Sequence, residues 1–230
     1  TNATLEGKGV PTVYIANKGL SDVLTIGRQT RPELYNLVVK KTALDLPEEY
    51  RLEVSARLDS SGIEISGFQP GELKKLKLTV EQLQPEAIAI NLLFSFVSDE
   101  HEKQIEALFG PEYFVSRSSY VLPEYREYER GIATWVNAWI GPLIDEYLLS
   151  VQKSMLPSTV SIMQSSGVSI SADQAAKRAV NLLLSGPVGG LQAAQLISGS
   201  KHLITFDMGG TSTDVALIDG DITLTNESQI

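Results

Sequence analysis

Apolar residues recur along this chain in two rhythms, a strand rhythm and a helical one, and the two alternate as in an α/β protein. Val13 to Ala16 is a short apolar run closed by Asn17-Lys18-Gly19 and reads as a buried strand. Leu20 to Ile26 reads as a short helix stopped by Gly27. After an irregular stretch opening at Arg31-Pro32, Arg51 to Leu58 alternates like a half-exposed strand. Asp59-Ser60-Ser61-Gly62 is a turn, so Ile63 to Ile65 is expected to pair back as a hairpin, a small decoration on the main sheet. Glu72 to Leu83 places Leu73, Leu76, Val80 and Leu83 on one face of an amphipathic helix. Ala87 to Phe96 is long and apolar enough for a central strand covered on both sides.

The second half continues the alternation. Ser98 or Asp99 is the expected cap of a helix reaching about Phe109. From Arg126 to Leu149, residues Ile132, Trp135, Val136, Trp139, Leu143, Tyr147 and Leu148 keep helical spacing, with a kink or restart expected at Gly141-Pro142. Thr159 to Met163 reads as a strand, and Ser171-Ala-Asp-Gln174 is a capping box opening a helix to about Leu184. Ser185-Gly-Pro-Val-Gly-Gly190 leads into a small-residue helix from Leu191 to Ile197. Leu203 to Phe206, Val215 to Ile218 and Ile222 to Leu224 form an expected three-strand meander, turning at Asp207–Asp214 and at Asp219-Gly220.

Composition narrows the chemistry. The net charge of -9 leaves no basic stripe for a nucleic acid, so any phosphate must be held by backbone N–H groups, hydroxyls and a metal ion. Cysteine is absent, which excludes disulfides and thiolate chemistry within this chain and suits a cytoplasmic location. With only His101 and His202, a His-rich metal site is not expected, and His101 is placed on a helix surface. No run of about 20 apolar residues is present, so no membrane partner is expected. The chain does not begin with Met, and both ends read as cut from a longer protein.

Asp207-Met-Gly-Gly-Thr-Ser-Thr-Asp214 carries the strongest chemical signal. Gly209 and Gly210 at a strand end let a phosphate approach the backbone, because no Cβ intervenes. Thr211, Ser212 and Thr213 add hydroxyl donors, and Asp207 and Asp214 are hard oxygen ligands suited to Mg²⁺. An ordinary Gly-Gly hairpin would not need three hydroxyls enclosed by two acids. No lysine follows the glycines and no G-x-G-x-x-G is present, so this is neither a P-loop nor a Rossmann fingerprint. A strand, glycine loop and second strand point instead to the actin, Hsp70 and sugar-kinase (ribonuclease H-like) architecture, in which two such loops close on ATP.

Other candidates follow. Gly189 and Gly190 at a helix N-terminus would offer free N–H groups to an anion, or simply allow close packing on the sheet; the residues leave both open. Arg28 and Arg31, with Gln29 and Glu33, form a loop whose guanidinium groups suit a carboxylate or phosphate. Tyr125-Arg-Glu-Tyr-Glu-Arg130 reads as a helix start with surface ion pairs, although Arg126 or Arg130 can also face a cleft. Trp135 and Trp139 read as core.

Taken together, Gly27-Arg28-Gln29, Arg31-Pro-Glu-Leu-Tyr35, Leu92-Leu-Phe-Ser-Phe96, Glu127-Tyr-Glu-Arg130 with Asn137-Ala138, Met163-Gln-Ser165, Ser185 to Gly190 and Asp207 to Asp214 resemble the A-type subunit of hydantoinases and 5-oxoprolinases. That family also takes in subunits of ATP-dependent ketone carboxylases. The resemblance implies an actin-like fold and the ATP-dependent opening of a cyclic amide, in which phosphorylation of the amide oxygen creates a good electrophile. It implies ATP and Mg²⁺ as cofactors, with Asp207, Gly209, Gly210, Thr211 and Asp214 on phosphates and metal, and Asp207 and Asp214 in the catalytic position. It further implies a B-type partner subunit or fused domain and a homo-oligomer. Residues 1–118 would belong to a partial N-terminal domain and 119–230 to the start of the second. The family's first glycine loop is expected upstream and its adenosine site downstream, so this stretch alone is expected to be inactive. A ketone carboxylase subunit and a non-catalytic nucleotide-binding module are the alternative functions.

Overall fold

The computed structural model describes residues 2–28, 35, 44, 46–209 and 213–220. In chain order they form α1 (Asn2–Leu5), β1 (Thr12–Asn17), α2 (Val23–Ile26), β2 (Arg51–Val54), β3 (Arg57–Leu58), β4 (Glu64–Ser66), α3 (Glu72–Leu83), β5 (Ala87–Asn91), α4 (Glu100–Glu106), β6 (Phe114–Arg117), α5 (Ser118–Val121) and α6 (Glu127–Ser154). β7 (Ser161–Met163), β8 (Ser169–Ser171), α7 (Ala172–Lys177), α8 (Ser185–Ser198), β9 (His202–Met208) and β10 (Thr213–Asp219) complete them. By packing, the chain divides into one unit of residues 9–144 and another of residues 1–8 with 145–230. The division falls inside α6.

The 9–144 unit is built on a parallel sheet of order β2-β1-β5-β6. All residues of β1 and β5 are buried, as expected for strands covered on both faces. Strand alternation sends Val13, Ile15, Ile88 and Ile90 to one face, under Leu76 and Val80 of α3 and Ile105 of α4. Tyr14, Ala16, Ala87 and Ala89 face the other way, against Leu24 of α2 and Trp135 and Ala138 of α6. The small side chains on that face let α6 lie close. A Cβ on Gly131 would come within 2.7 Å of Asn91 Nδ2 and 3.0 Å of the Tyr14 hydroxyl, so only glycine fits where the helix crosses the sheet. Trp135 and Trp139 stack with centroids 5.1 Å apart in this unit.

The chain leaves β1 for β2 on one side and β5 for β6 on the other. The switch point therefore lies between the carboxyl ends of β1 and β5, the usual ligand position in such sheets. Asn17 and Asn91 stand at those ends. The Asn17 side chain accepts from the Leu93 N–H and donates to the Ala56 carbonyl, pinning the turn that follows β5.

Several expectations are corrected here. Arg51–Leu58 is two strands: β2 joins the main sheet beside β1, and only β3 pairs with β4 in the small hairpin. Between them Ser55 is drawn off the strand path, its N–H donating to Glu72 Oε1 (2.7 Å) and its hydroxyl to Oε2 (2.5 Å). β5 stops at Asn91, because Leu92 onward turns and Phe94 adopts φ 60°. α6 does not restart at Pro142 but continues as one helix to Ser154. His101 is buried, its Nε2 2.7 Å from Glu64 Oε2 and its ring edge-on to Phe68.

In the 1–8/145–230 unit, β7 and β8 form a hairpin and β9 and β10 an antiparallel ribbon, with α8 against β9. Ser171 caps α7 by accepting from the Gln174 N–H (3.4 Å), as the capping box predicts, but α7 ends at Lys177 and a 3-10 turn spans Ala179–Leu182. Helix α8 begins at Ser185, six residues before the expected start. The third meander strand, Ile222 to Leu224, lies outside the described residues.

Candidate functional site

The β9–β10 ribbon sets the geometry of the glycine-loop motif. Its register places Asp207 directly opposite Asp214, so both carboxylates stand on the same face of the ribbon at its loop end. Like charges in direct cross-strand register repel, and a cation lying between them would offset that repulsion. Among the described residues no third His, Asp or Glu joins them in a metal-binding cluster. Two carboxylates with the remaining positions left to water and phosphate oxygens fit Mg²⁺, which keeps most of its waters.

The other predicted members divide. Gly209 follows β9 directly, while Gly210, Thr211 and Ser212 lie outside the described residues, as does Arg31. Thr213 pairs with Met208, one step from the carboxylates, so strand alternation puts it on the opposite face. That opposite face carries exposed Ile204, Phe206, Val215 and Leu217. Gly189 and Gly190 sit in the second turn of α8, where helical bonding occupies their N–H groups. The expected presentation of Gly189 and Gly190 at a helix start is therefore not what the chain does.

A second constellation lies in the 9–144 unit, at the carboxyl end of β5 and the start of α6. Arg130, expected on a surface, is 1% exposed. Its Nε donates to Asn91 Oδ1 (3.0 Å) and Ser118 Oγ (3.1 Å), Nη1 to the Glu124 carbonyl (2.8 Å) and Nη2 to the Leu92 carbonyl (2.8 Å). Asn91 Nδ2 in turn donates to the Tyr14 hydroxyl (2.8 Å) and the Glu127 carbonyl (3.0 Å). Buried Glu102 accepts from the Leu92 N–H (3.0 Å), the Ser118 hydroxyl (2.7 Å) and the Ser119 N–H (2.9 Å). Ser118 has one proton, and the Glu102 carboxylate can only accept. The 2.8 Å contact between Ser95 and Ser118 must therefore be donated by Ser95, which fills both lone pairs of Ser118. Burial lowers the Arg130 pKa, but arginine starts so high that it stays charged. Burial pushes the Tyr14 phenol up to about 12, against the opposing effects of Asn91 and Arg130, so it remains protonated.

Around this knot the motif residues face outward. Arg28 forms an ion pair with Glu129 (2.8 Å) and lies 5.9 Å from the Tyr128 ring centroid, so the structure joins Arg28 to the start of α6. A cavity of about 430 Å³ opens there, lined by Phe94, Phe96, Tyr125, Arg126 and Tyr128 among others. Sequence reasoning missed the knot because charged residues are rarely buried. One signal was available: Arg130, Thr134 and Asn137 fall at i, i+4 and i+7, a polar stripe continuous with the core face of α6, and all three are buried.

Two family models match the chain: the hydantoinase/oxoprolinase N-terminal region over residues 1–110 and hydantoinase/oxoprolinase over residues 130–230. The chain belongs to the hydantoinase/oxoprolinase family. It is 34% identical to 5-oxoprolinase 1 of Arabidopsis thaliana, a match covering 100% of this chain and 20% of the relative. With the caprolactamase subunit alpha of Pseudomonas jessenii it shares 28% identity over 95% of this chain and 33% of that one. The chain thus spans a third or less of the length of these relatives. Among solved structures it is similar to the ATP-dependent caprolactamase from Pseudomonas jessenii, with a TM-score of 0.80 at 28% identity over 94% of this chain and 33% of that one. A nucleotide-free acetone carboxylase structure gives a TM-score of 0.85 at 23% identity over 100% of this chain and 35% of the other, which supports the fold alone. The α/β class with a parallel sheet, consistent with an actin-like ATPase, is thereby established.

Proposed function

We propose that this chain is part of an enzyme that opens a cyclic amide at the expense of ATP. The observation that carries the reading is the cross-strand register of Asp207 and Asp214, in a chain similar to 5-oxoprolinases and to an ATP-dependent caprolactamase. Asp207 and Asp214 would hold Mg²⁺, whose ATP complex supplies the phosphoryl group that activates the amide oxygen. Gly209 and Gly210 would admit the phosphates to the backbone, and Thr211 and Ser212 would donate to their oxygens. Thr213, on the other face of the ribbon, would act through the loop's shape rather than by direct contact. The protein's share is fixed dipoles and charge placed before the reaction begins. A B-type partner subunit or fused domain would complete the enzyme.

The test is phosphate release from ATP by the whole protein with its partner, against 5-oxoproline, hydantoins, lactams, and ketones with bicarbonate. Stimulation by a cyclic amide is expected. Stimulation only by a ketone with bicarbonate, or by none of them, overturns the reading. Asp207→Asn is expected to lower ATP turnover by about 100-fold or more, with tryptophan fluorescence unchanged because Asp207 is exposed and both tryptophans lie in the other unit.

A further inference from the structure

The cavity beside the Arg130 knot has the features of a ligand site and is not used by the phosphate motif. Its volume of about 430 Å³ suits a small molecule. Phe94 and Phe96 stand 6.2 Å apart between ring centroids, at 56°, and form its apolar wall. The Arg130 guanidinium lies 5.3 Å from the Phe96 ring centroid and is itself held by four hydrogen bonds, which restrains that wall before any ligand arrives. Two residues of the lining, Phe94 and Arg126, adopt left-handed backbone conformations, φ 60° and 74°.

The charges of the lining are uneven in availability. Arg130 is committed to protein acceptors. Glu129 is neutralised by Arg28 at 2.8 Å. Arg126 lies 5.3 Å from the Tyr125 ring centroid, and among the described residues no carboxylate is within ion-pair distance of it. Its planar fork is the cation left to meet an incoming carboxylate, and Glu127 on the same rim is an acceptor for an amide N–H.

We propose that this cavity binds the cyclic amide itself and selects one bearing a carboxylate, with the ring against Phe94 and Phe96, the carboxylate on Arg126 and the ring N–H toward Glu127. The inference rests on the ring-opening reading for the identity of its ligand, but it concerns binding and not turnover.

The experiment titrates the whole protein, without ATP, by calorimetry with 5-oxoproline, with 2-pyrrolidinone (the same ring without the carboxylate) and with inorganic phosphate. 5-Oxoproline is expected to bind about tenfold or more tighter than 2-pyrrolidinone. Arg126→Gln should erase that preference, weakening 5-oxoproline by about the same factor while changing 2-pyrrolidinone less than about twofold. Equal affinity for the two rings, a preference that survives Arg126→Gln, or no binding of either ring overturns the proposal. Displacement of 5-oxoproline by phosphate also overturns it and assigns the cavity to a phosphate. Loss of amide-stimulated ATP cleavage with the binding preference intact would instead count against the ring-opening reading alone.

Discussion

Replacing Arg130 by Met should destabilise the 9–144 unit more than any surface substitution on α6. Methionine fills much of the space of the arginine stem but supplies none of its donors. Three buried acceptors lose their partner: Asn91 Oδ1, the Leu92 carbonyl and one lone pair of Ser118. The Glu124 carbonyl belongs to an exposed residue and can turn to water. Each orphaned acceptor costs about 1 kcal/mol or more. Glu102 also loses the favourable field of Arg130 while remaining fully buried. Breaking a buried charge arrangement from one side costs about 3–5 kcal/mol, in line with that sum.

Urea unfolding followed by tryptophan fluorescence reads this directly, because both tryptophans, Trp135 and Trp139, lie in this unit. With a slope of about 2 kcal/mol/M, the midpoint should fall by about 2 M. Arg130→Lys keeps the charge but places it on a single nitrogen, which cannot span Asn91, Leu92 and Glu124 together, so it should fall between wild type and Met. Glu102→Gln in the Arg130→Met background should cost less than in wild type, with a coupling of about 1–3 kcal/mol. A midpoint shift below about 0.5 M for Arg130→Met, or no coupling to Glu102, would refute the account of the knot as a closed network.

Further outcomes follow from the same geometry. Gly131→Ala should cost about 1–3 kcal/mol in the same assay, because its Cβ would meet Asn91 and Tyr14; an unchanged midpoint would show that α6 can shift away from the sheet. Glu72 is raised by burial but lowered on balance by hydrogen bonds from Ser55 and Gln69. A carboxylate depressed in the folded state stabilises above its unfolded pKa and loses that contribution as pH falls through the folded one. The stability gap between wild type and Glu72→Gln should therefore be constant at neutral pH and close on acidification below the usual glutamate range; a gap that widens in acid would contradict the sign.

The elements most legible in the sequence were those whose pattern and packing agree. Helix α3 begins and ends where its amphipathic pattern does, and Leu76 and Val80 are buried as that pattern requires. Gly27 stops α2 with φ 66°, a conformation that favours glycine. Elements shaped by long-range polar contacts were not legible. Leu92 to Phe96 reads as strand by composition, yet Asn17, 76 positions earlier in the chain than Leu93, ends the strand by taking the Leu93 N–H. Similarly, the Glu72 carboxylate divides Arg51–Leu58 from 17 positions away. At the Asp207–Asp214 motif, both carboxylates and the glycines were legible in the sequence. Which residues share the face of Asp207 needed the register, since a shift of one position would have exchanged Asp214 for Thr213.

The segment from Arg126 to Arg130 therefore performs two separable tasks at a spacing of one helical turn. Arg130 closes an internal network and holds Phe96, so its loss should appear first as lost stability and only through that as lost binding. Arg126 is exposed, and among the described residues its bond to the core is made by its carbonyl, which accepts from the Arg130 N–H, so its side chain can be removed without reopening the network. An activity assay alone would score both substitutions as damage to the same site. Measuring the urea midpoint and the 5-oxoproline preference on the same two variants separates them: Arg130→Met should move the midpoint, and Arg126→Gln should move the preference with the midpoint unchanged. If Arg126→Gln shifts both together, the outward residue is part of the knot, and the cavity loses the cation, among the described residues, that would give it a preference for a carboxylate.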